Sequence, residues 1–352
     1  MTQAPILITG GAGFIGSNLA DRLAGLGHEV LVYDALARPG VERNLRWLEA
    51  RHGRRIRSIV ADVRDRDRLA GAAAEAEAVF HFAAQVAVTT SLSDPGEDFE
   101  VNAGGTFALL EAVRRKGRRT PVIFASTNKV YGDLGDIELE LHADAYAPAD
   151  ATLRASGINE HRPLDFHTPY GCSKGAADQY VLDYGRSFDL PTCVLRMSCI
   201  YGPRQMGTED QGWVAHFLIR ALKGEPIVIY GDGRQVRDVL NVADAVDAYV
   251  AAWKRIDQVK GCAFNLGGGP ANAVSLRQLV GHIQDLAGRR VELRFEDWRA
   301  GDQRYFVADA RAARRALDLR APLDWRTGVT QLARWLRDEH PKLAQQPVGA
   351  AA

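Results

Sequence analysis

Short apolar runs alternate with amphipathic stretches over most of the chain. Residues 5–9 form an apolar run that ends in a glycine-rich turn, which is typical of a short buried strand. In residues 14–26, the side chains of Ile15, Leu19 and Leu23 fall on one helical face. The same reasoning predicts strands at 28–33, 56–61, 78–82, 121–126 and 192–197, and helices at 106–115 and 170–189. This alternation predicts an α/β fold with a doubly wound parallel Rossmann sheet.

The regular alternation is lost at two places, and these set the predicted domain organisation. Residues 133–169 are polar and contain several prolines, so they predict a long loop that is either functional or disordered. After residue 200 the alternation loosens again. We therefore predict a Rossmann domain of residues 1–199 and 241–260, and a smaller, discontinuous C-terminal cap of residues 200–240 and 261–340. Residues 341–352 are predicted to be a frayed tail.

Composition excludes several classes of function. The 352 residues contain 44 Lys plus Arg and 44 Asp plus Glu, whereas a nucleic-acid-binding protein usually has a basic excess. No window reaches the ~18 apolar residues of a membrane-spanning helix. The four cysteines are far apart, which argues against a metal site or a disulfide framework. No secretory signal is evident, and a cytoplasmic location is expected.

A glycine turn after the first strand predicts a dinucleotide site. Gly10, Gly13 and Gly16 have the spacing that lets a pyrophosphate approach the backbone at a helix N-terminus. Asp34 ends the second strand, where a carboxylate accepts hydrogen bonds from ribose hydroxyls and repels a 2′-phosphate. These features predict NAD rather than NADP, although Arg38 is close enough in sequence to serve a 2′-phosphate. Asp62 either caps a helix or contacts the adenine together with Val63.

A tyrosine and a lysine four residues apart predict acid–base chemistry. Tyr170 and Lys174 lie one turn apart on one face of the predicted helix. A lysine cation and a nicotinamide cation both favour phenolate, so the pKa of Tyr170 is expected to fall toward neutrality. The fifth strand ends in hydroxyls, and Thr127 is placed to orient a substrate alcohol against the phenolate.

Together, the glycine turn, the hydroxyl-bearing strand end and the tyrosine–lysine pair resemble the extended short-chain dehydrogenase/reductases that act on nucleotide-diphosphate sugars. The resemblance covers about residues 5–340. It implies that Thr127, Tyr170 and Lys174 are catalytic, that NAD is the cofactor, and that no metal takes part. It also implies that the cofactor is held by Gly10, Gly13, Phe14, Ile15, Gly16, Asp34, Arg38, Asp62, Val63, Phe82, Ala83, Ala84, Gln85, Asn102, Tyr170 and Lys174.

Further motifs resemble one group of these enzymes, the family of CDP-paratose 2-epimerases. The motifs are Ser-Thr-Asn-Lys-Val-Tyr-Gly-Asp at 126–133, Pro-Leu-Asp-Phe-His at 163–167 and Asp-Gln-Gly-Trp at 210–213. The resemblance implies inversion of carbon 2 of a CDP-activated deoxyhexose, of the CDP-paratose to CDP-tyvelose type, by transient oxidation and re-reduction with bound NAD. The alternatives are a UDP- or GDP-sugar epimerase acting at carbon 2 or 4, a decarboxylase of the same superfamily, and a non-catalytic nucleotide-binding protein. A 4,6-dehydratase is disfavoured, because Asn128 and Lys129 stand where those enzymes carry acidic residues.

The same resemblance implies a set of substrate-binding residues. For Arg237 the alternative is an ion pair with Asp238 or Asp244, and Trp213 either packs against the sugar or fills the cap core. Asn128 and Lys129 either contact the sugar or form a polar strand end. The set is Ser126, Asn128, Lys129, Cys199, Arg204, Gln211, Trp213, Arg237, Arg299 and Asp302. Helices 99–115 and 172–189 are expected to pair between subunits, giving a homodimer or a homotetramer.

Overall fold

The computed structural model describes residues 4–339, and the predicted tail at 341–352 lies outside them. The strands are β1 (Ile6–Thr9), β2 (Val30–Asp34), β3 (Ile56–Val60), β4 (Ala78–His81), β5 (Val122–Thr127), β6 (Leu139–His142), β7 (Ala145–Pro148), β8 (Thr192–Met197), β9 (Cys199–Tyr201), β10 (Ile227–Tyr230), β11 (Val236–Asn241), β12 (Cys262–Leu266), β13 (Ala273–Ser275), β14 (Leu293–Glu296) and β15 (Tyr305–Phe306). The helices are α1 (Phe14–Gly25), α2 (Val41–His52), α3 (Arg66–Glu75), α4 (Val88–Ser93), α5 (Pro95–Phe99), α6 (Gly105–Arg115), α7 (Ala151–Ser156), α8 (Thr168–Ser187), α9 (Trp213–Lys223), α10 (Val242–Lys254), α11 (Ile256–Val259), α12 (Leu276–Ala287), α13 (Arg311–Leu317) and α14 (Trp325–Glu339).

The central sheet is parallel throughout and has the strand order β12-β8-β5-β4-β1-β2-β3. The inner strands β1, β2, β4 and β5 are buried on both faces, because helices cover both sides of the sheet. Ile6 and Ile8 pack with α1 and α10 on one face, and Leu7 packs with α3, α6 and α8 on the other. The predicted doubly wound Rossmann sheet is confirmed, and each predicted strand and helix lies within two residues of the observed bounds.

One strand of this sheet comes from the range that the sequence analysis gave to the cap. Strand β12 pairs with β8 in register Cys262↔Cys193, and Ala313 and Leu317 of α13 pack into the same core as α10. A boundary at residue 260 is therefore wrong for these elements. Their signal is weak because β12 has only five residues and carries a polar side chain, Asn265, whose amide bonds the Ile158 carbonyl at 2.8 Å.

The segment 133–169 is ordered structure rather than a disordered loop. Strands β6 and β7 form an antiparallel hairpin, and α7 follows it. The Tyr146 hydroxyl donates to Asp232 at 2.7 Å, and Ile158 forms a bridge with Ala308, so the segment is fastened to the cap. The hairpin has no apolar period because most of β6 is exposed.

The cap covers the carboxyl ends of the central strands. It contains the parallel pair β10–β14 and a four-stranded sheet of β9, β11, β13 and β15. Helices α9, α12 and α14 pack together through Leu218, Ile283 and Leu332. In parallel α/β sheets, ligands bind outside the carboxyl ends of the strands, which is where the two parts meet. Between residues 4 and 339, no helix is long and apolar enough to cross a membrane.

Candidate active site

A cavity of about 990 Å³ lies between the central sheet and the cap. It runs from Gly13 and Asp34 at the ends of the first strands, past Thr127 and Tyr170, to Arg237 in the cap. All the predicted site residues except Asn102 line it. The sequence therefore identified both the sheet end and the cap residues that face it.

The glycine turn combines two structural glycines with one that is open to the cavity. Gly10 has φ +69°, and a Cβ there would lie 2.7 Å from the Ala83 nitrogen. A Cβ on Gly16 would lie 2.2 Å from the Gly10 oxygen. Gly13 begins α1 without a side-chain cap, and only the Gly10 oxygen, at 3.1 Å, would meet a Cβ there. The free N–H groups of the first turn therefore face the cavity and suit an anion.

Asp34 is fixed beside this turn. Its carboxylate oxygens accept hydrogen bonds from the Ala12 and Leu36 N–H groups, each at 2.9 Å. Burial raises the pKa of Asp34, and these hydrogen bonds act in the opposite direction. The Gly13 N–H also bonds this carboxylate, which leaves lone-pair capacity for a ligand hydroxyl on the group as a whole. The Arg38 side chain reaches across the cavity and donates to Gln211.

Asp62 does not cap a helix, so that alternative is wrong. The N-cap of α3 is Asp65, which accepts from the Arg68 N–H at 3.1 Å. Asp62 accepts from the backbone N–H of Arg64 at 2.8 Å and pairs with its guanidinium at 2.7 Å. Asp62 and Val63 both line the cavity, and contact with an adenine stays a prediction.

Asn102 supports the loop at residues 82–85 from behind. It is 1 % exposed, and its Nδ2 donates to the Gln85 carbonyl at 3.0 Å and to Asp98 at 3.1 Å. The Gln85 side chain also donates to Asp98, at 2.8 Å. Asn102 therefore does not face the cavity, and its predicted direct role with the cofactor is replaced by a role in holding the loop. It lies in a single π-helical turn between α5 and α6, and such turns often occur at functional sites.

The tyrosine, lysine and threonine meet as predicted. Tyr170 lies in the first turn of α8 and is hydrogen bonded to the Thr127 hydroxyl. Lys174 lies one turn further along, and its Nζ donates to the Ala125 carbonyl at 2.7 Å. The same Nζ lies 4.2 Å from the centre of the Phe124 ring. The end of β5, at Thr127, and the start of α8 therefore form one candidate reactive centre.

The predicted fall in the phenol pKa is not produced by the protein atoms alone. Burial raises the pKa of Tyr170 to about 12, and the Thr127 hydrogen bond only opposes it. Burial lowers the pKa of Lys174 to about 7, because its charged form is poorly solvated and its nearest polar partner is a carbonyl. A lysine that is half deprotonated near neutral pH is a weak source of positive charge for the phenol.

On the cap side, three charged residues form a cluster. Arg237 donates to Asp302 at 2.7 Å, and not to Asp238 or Asp244 as the alternative had it. Lys129 donates to the Gly301 carbonyl at 3.0 Å and lies 4.0 Å from Asp302. Burial, followed by repulsion from Arg237, lowers the pKa of Lys129 to about 8. The cluster is electropositive and faces the cavity.

Trp213 packs in the cap core, and its contact with the sugar stays a prediction. Its ring packs edge-on against Phe217 in the cap core, with 5.8 Å between ring centres, and it also lines the cavity. Its indole N–H donates to the Cys199 sulfur at 3.4 Å. Arg204 lies 4.0 Å from the centre of the Trp47 ring.

Two predicted substrate residues direct their side chains into the protein. Ser126 is 1 % exposed and donates to Asp178 at 2.6 Å. Asn128 donates to Gln303 at 3.0 Å. Both line the cavity edge, but their side-chain partners are protein groups.

One residue that lines the cavity was missed in the sequence. Tyr230 ends β10 and lies under Arg299, whose guanidinium carbon is 3.7 Å from the ring centre. Arg299 also donates to the Glu209 carbonyl at 3.2 Å. A tyrosine at a strand end before the Gly231 turn was an available signal for this position. Between residues 4 and 339, no group of three or more His, Cys, Asp or Glu is arranged to hold a metal ion.

Comparison with known proteins places these observations in a family. The family model described as "NAD dependent epimerase/dehydratase family" matches residues 6–267. The chain is 41% identical over 339 residues to CDP-paratose 2-epimerase of Salmonella typhi, covering 94% of this chain and 98% of that one. It is 34% identical to UDP-glucose 4-epimerase of Mycolicibacterium smegmatis, with 95% and 98% covered. The crystal structure of Thermus thermophilus UDP-glucose 4-epimerase in complex with NAD is similar with a TM-score of 0.78, at 31% identity and with 95% and 99% covered.

Proposed function

The chain belongs to the NAD dependent epimerase/dehydratase family, and we propose that it inverts carbon 2 of a CDP-activated deoxyhexose, as in the conversion of CDP-paratose to CDP-tyvelose. Its relatives are NAD-dependent enzymes acting on nucleotide sugars, and it is an enzyme of this kind. The choice of a CDP-sugar and of carbon 2 rests on the 41% identity to the Salmonella enzyme over nearly the full length of both chains.

The residues at the glycine turn fit NAD. Gly13 leaves the N-terminus of α1 open to a pyrophosphate, and Asp34 presents free lone pairs where the adenosine ribose would lie. Asp34 would repel a 2′-phosphate, and Arg38 is engaged with Gln211 rather than free to attract one. When bound, NAD supplies the acceptor and donor of hydride and a positive charge next to the phenol.

One observation carries the proposal, namely that Thr127 and Tyr170 are joined in the middle of the cavity with no acidic residue after Thr127. Loss of water from a sugar needs a proton donor for the departing hydroxyl. Asn128 cannot be that donor, since its amide is bonded to Gln303. With an amide rather than a carboxylic acid directly after Thr127, the site favours moving a proton to and from one alcohol over dehydration.

The protein residues have separate parts in this chemistry. Tyr170 takes the proton of the sugar hydroxyl and gives it back after the sugar has turned in the site. Thr127 fixes the position of that hydroxyl next to the phenol. Lys174 is anchored to the Ala125 carbonyl and can move to ribose hydroxyls when a ligand offers them. Arg237 neutralises the diphosphate, which then competes with Asp302 for its guanidinium.

The chemistry of the sugar favours direct oxidation at carbon 2. In a 3-deoxy sugar of the CDP-paratose type, carbon 3 bears no hydroxyl. A ketone at carbon 4 would not acidify the hydrogen on carbon 2. Removing the carbon-2 hydrogen as a proton is therefore not a feasible route to inversion, and carbon 2 itself must be oxidised.

The test is turnover without added cofactor. The protein is incubated with CDP-paratose labelled with deuterium at carbon 2, and with unlabelled UDP- and GDP-sugars, and the products are identified by NMR. We expect a carbon-2 epimer of the CDP-sugar that keeps its deuterium. Loss of the label to solvent would contradict oxidation at carbon 2. A carbon-4 epimer of a UDP-sugar would favour the alternative suggested by the Mycolicibacterium relative, and no turnover would favour a binding protein.

We also propose that the protein is cytoplasmic and works as a homodimer or a tetramer of dimers. Exposed aromatic side chains lie on the two helices predicted to pair. Phe99 is 61% exposed, and Phe107 and Tyr180 are packed edge-on against each other at the surface. Sedimentation velocity tests the oligomeric state, and a monomer at micromolar concentration would contradict it.

A further inference from the structure

We propose that Gln303, a buried residue of the cap, is a positioning residue that sets the direction of the Thr127 hydroxyl proton. This inference rests on the proposed function, because it takes Thr127 and Tyr170 to be the reactive pair. It assigns to a cap residue a role in the proton chemistry of the central sheet. Three side chains and one backbone carbonyl carry the argument.

The chain of hydrogen bonds begins at a group that can only accept. The Gln303 Nε2 donates to the Gly132 carbonyl at 2.6 Å. That carbonyl lies in a tight turn, since Gly132 has φ +71° and a Cβ there would be 2.6 Å from the Asp165 oxygen. A carbonyl has no proton to give, so the NH₂ group of Gln303 must face it. The Gln303 Oε1 must then point the other way.

This orientation is passed on to Asn128. The Gln303 oxygen accepts from Asn128 Nδ2 at 3.0 Å, so the oxygen of the Asn128 amide faces Thr127. The Thr127 hydroxyl donates to that oxygen at 3.3 Å. Gln303 is fully buried and Asn128 is 8 % exposed, so water does not readily replace either partner. The polarity of both amides is thus fixed by one backbone carbonyl.

The Thr127 hydroxyl proton therefore has two possible acceptors. Thr127 has one hydroxyl proton, and both Asn128 Oδ1 and the Tyr170 oxygen are acceptors for it. Its oxygen already accepts from the Lys129 N–H at 3.2 Å. While Asn128 accepts the proton, Thr127 can accept from a neutral Tyr170. When Tyr170 is a phenolate, the proton can swing to it. By orienting the Asn128 amide, Gln303 keeps the Asn128 oxygen in place as the acceptor of the Thr127 proton.

The cap segment that carries Gln303 also meets the ligand side of the cavity. Asp302 binds Arg237, and the Gly301 carbonyl binds Lys129. A nucleotide sugar that pulls Asp302 away from Arg237 therefore acts on the residue next to Gln303. The position of the cap and the orientation of the Thr127 hydroxyl are coupled through adjacent residues.

The test compares Gln303→Met, which keeps length but removes the amide, with Asn128→Leu and with the double variant. Without the amide chain, the Thr127 proton is free to stabilise the phenolate. The Tyr170 pKa should then fall by about one pH unit in each variant, with no further fall in the double variant. It is measured by ¹³C NMR of tyrosine-labelled protein saturated with NAD, with Tyr170→Phe to assign the resonance.

Kinetics give the second readout. For Gln303→Met we expect kcat to fall about tenfold, with the acidic limb of its pH profile moved in the same direction as the phenol pKa. The matched control is Gln278→Met, which removes a helix-capping glutamine of the cap far from Thr127 and should lower Tm without moving the phenol titration. If Gln303→Met does not fold, Asn128→Leu alone tests the claim.

The outcomes separate this inference from the proposed function. An unchanged Tyr170 titration in a folded Gln303→Met would overturn the inference, whatever Asn128→Leu shows and even if the wild type epimerises its sugar. A moved titration together with a wild type that turns over no nucleotide sugar would overturn the proposed function and leave the hydrogen-bond chain supported. The titration needs no substrate, so it is independent of the choice of sugar.

Discussion

Replacing Lys174 by methionine should change how stability depends on pH, and the sign follows from burial. Lys174 is 4 % exposed, and burial lowers its pKa to about 7 in the folded protein. In the unfolded chain the pKa returns to about 10.4. Between these two values the unfolded state binds a proton that the folded state does not. The free energy of unfolding of the wild type therefore rises with pH through this window.

The magnitude follows from the width of the window. One extra proton in the unfolded state gives a slope of about 1.4 kcal/mol per pH unit. From about pH 7.5 to about pH 9.5, the wild type should gain roughly 2–3 kcal/mol over Lys174→Met, which has no proton to lose. Near pH 7 the wild type still carries the cost of burying this lysine, which Lys174→Met removes, while the variant loses the bond to the Ala125 carbonyl, worth about 1 kcal/mol. The variant should therefore be at least as stable as the wild type near pH 7 while being inactive.

The assay is urea denaturation of the NAD-free protein followed by tryptophan fluorescence at a series of pH values. Comparing the two proteins at each pH removes the contribution of all other titrating groups. Lys254→Met, a change of an exposed lysine on α10, serves as the control and should keep the pH dependence of the wild type. A difference between wild type and Lys174→Met that stays constant over this pH range would refute the reasoning.

Three further changes test other parts of the site. Tyr170→Phe should keep bound NAD, measured by the absorbance of released dinucleotide. Its kcat should fall by roughly two to four orders of magnitude, and near-normal turnover would contradict the role of Tyr170 as the acid–base group. Asp34→Ala should weaken NAD binding in calorimetry, because both carboxylate oxygens are lost from the ribose side, and tighter wild-type binding of NADP than of NAD would contradict that role. Arg196→Met should lower the free energy of unfolding by about 3–5 kcal/mol, because it leaves the fully buried Asp178 unpaired, and Asp178→Leu in the same chain should restore part of the loss. A cost below about 1 kcal/mol in urea denaturation would contradict this reading of the pair.

The sequence was sufficient to predict those features whose residues lie close together along the chain. The glycine turn, Asp34 at a strand end, and Tyr170 with Lys174 depend on one strand, one turn or one helix, and their periodicity and spacing can be read directly. Strand β12 was missed because it reaches the main sheet after a long excursion through the cap and has only five residues. The hairpin of β6 and β7 was missed because β6 is mostly exposed, β7 is only half-buried and neither strand has an apolar period.

Contacts between distant segments decide the rest. Arg237 pairs with Asp302 across 65 residues, and Asn128 with Gln303 across 175. No local pattern marks such a pair, because its two partners belong to segments that are far apart along the chain. The same limit applies to the phenol pKa: spacing alone placed Lys174 beside Tyr170, whereas burial of both groups determines their protonation.

Asn128 shows how these distant contacts bear on reaction type. Its identity was used to argue against dehydration, because an acidic residue is absent from that position. The structure adds a second barrier, because Asn128 is the hydrogen-bond donor to the Gln303 oxygen and Gln303 cannot reverse its amide against the Gly132 carbonyl. An ionised aspartate at 128 would place a charge beside that oxygen with no proton to offer it. An acid at 128 would therefore require a compensating change at 303, so under the proposed function the residue after Thr127 and the cap residue that binds it are expected to change together.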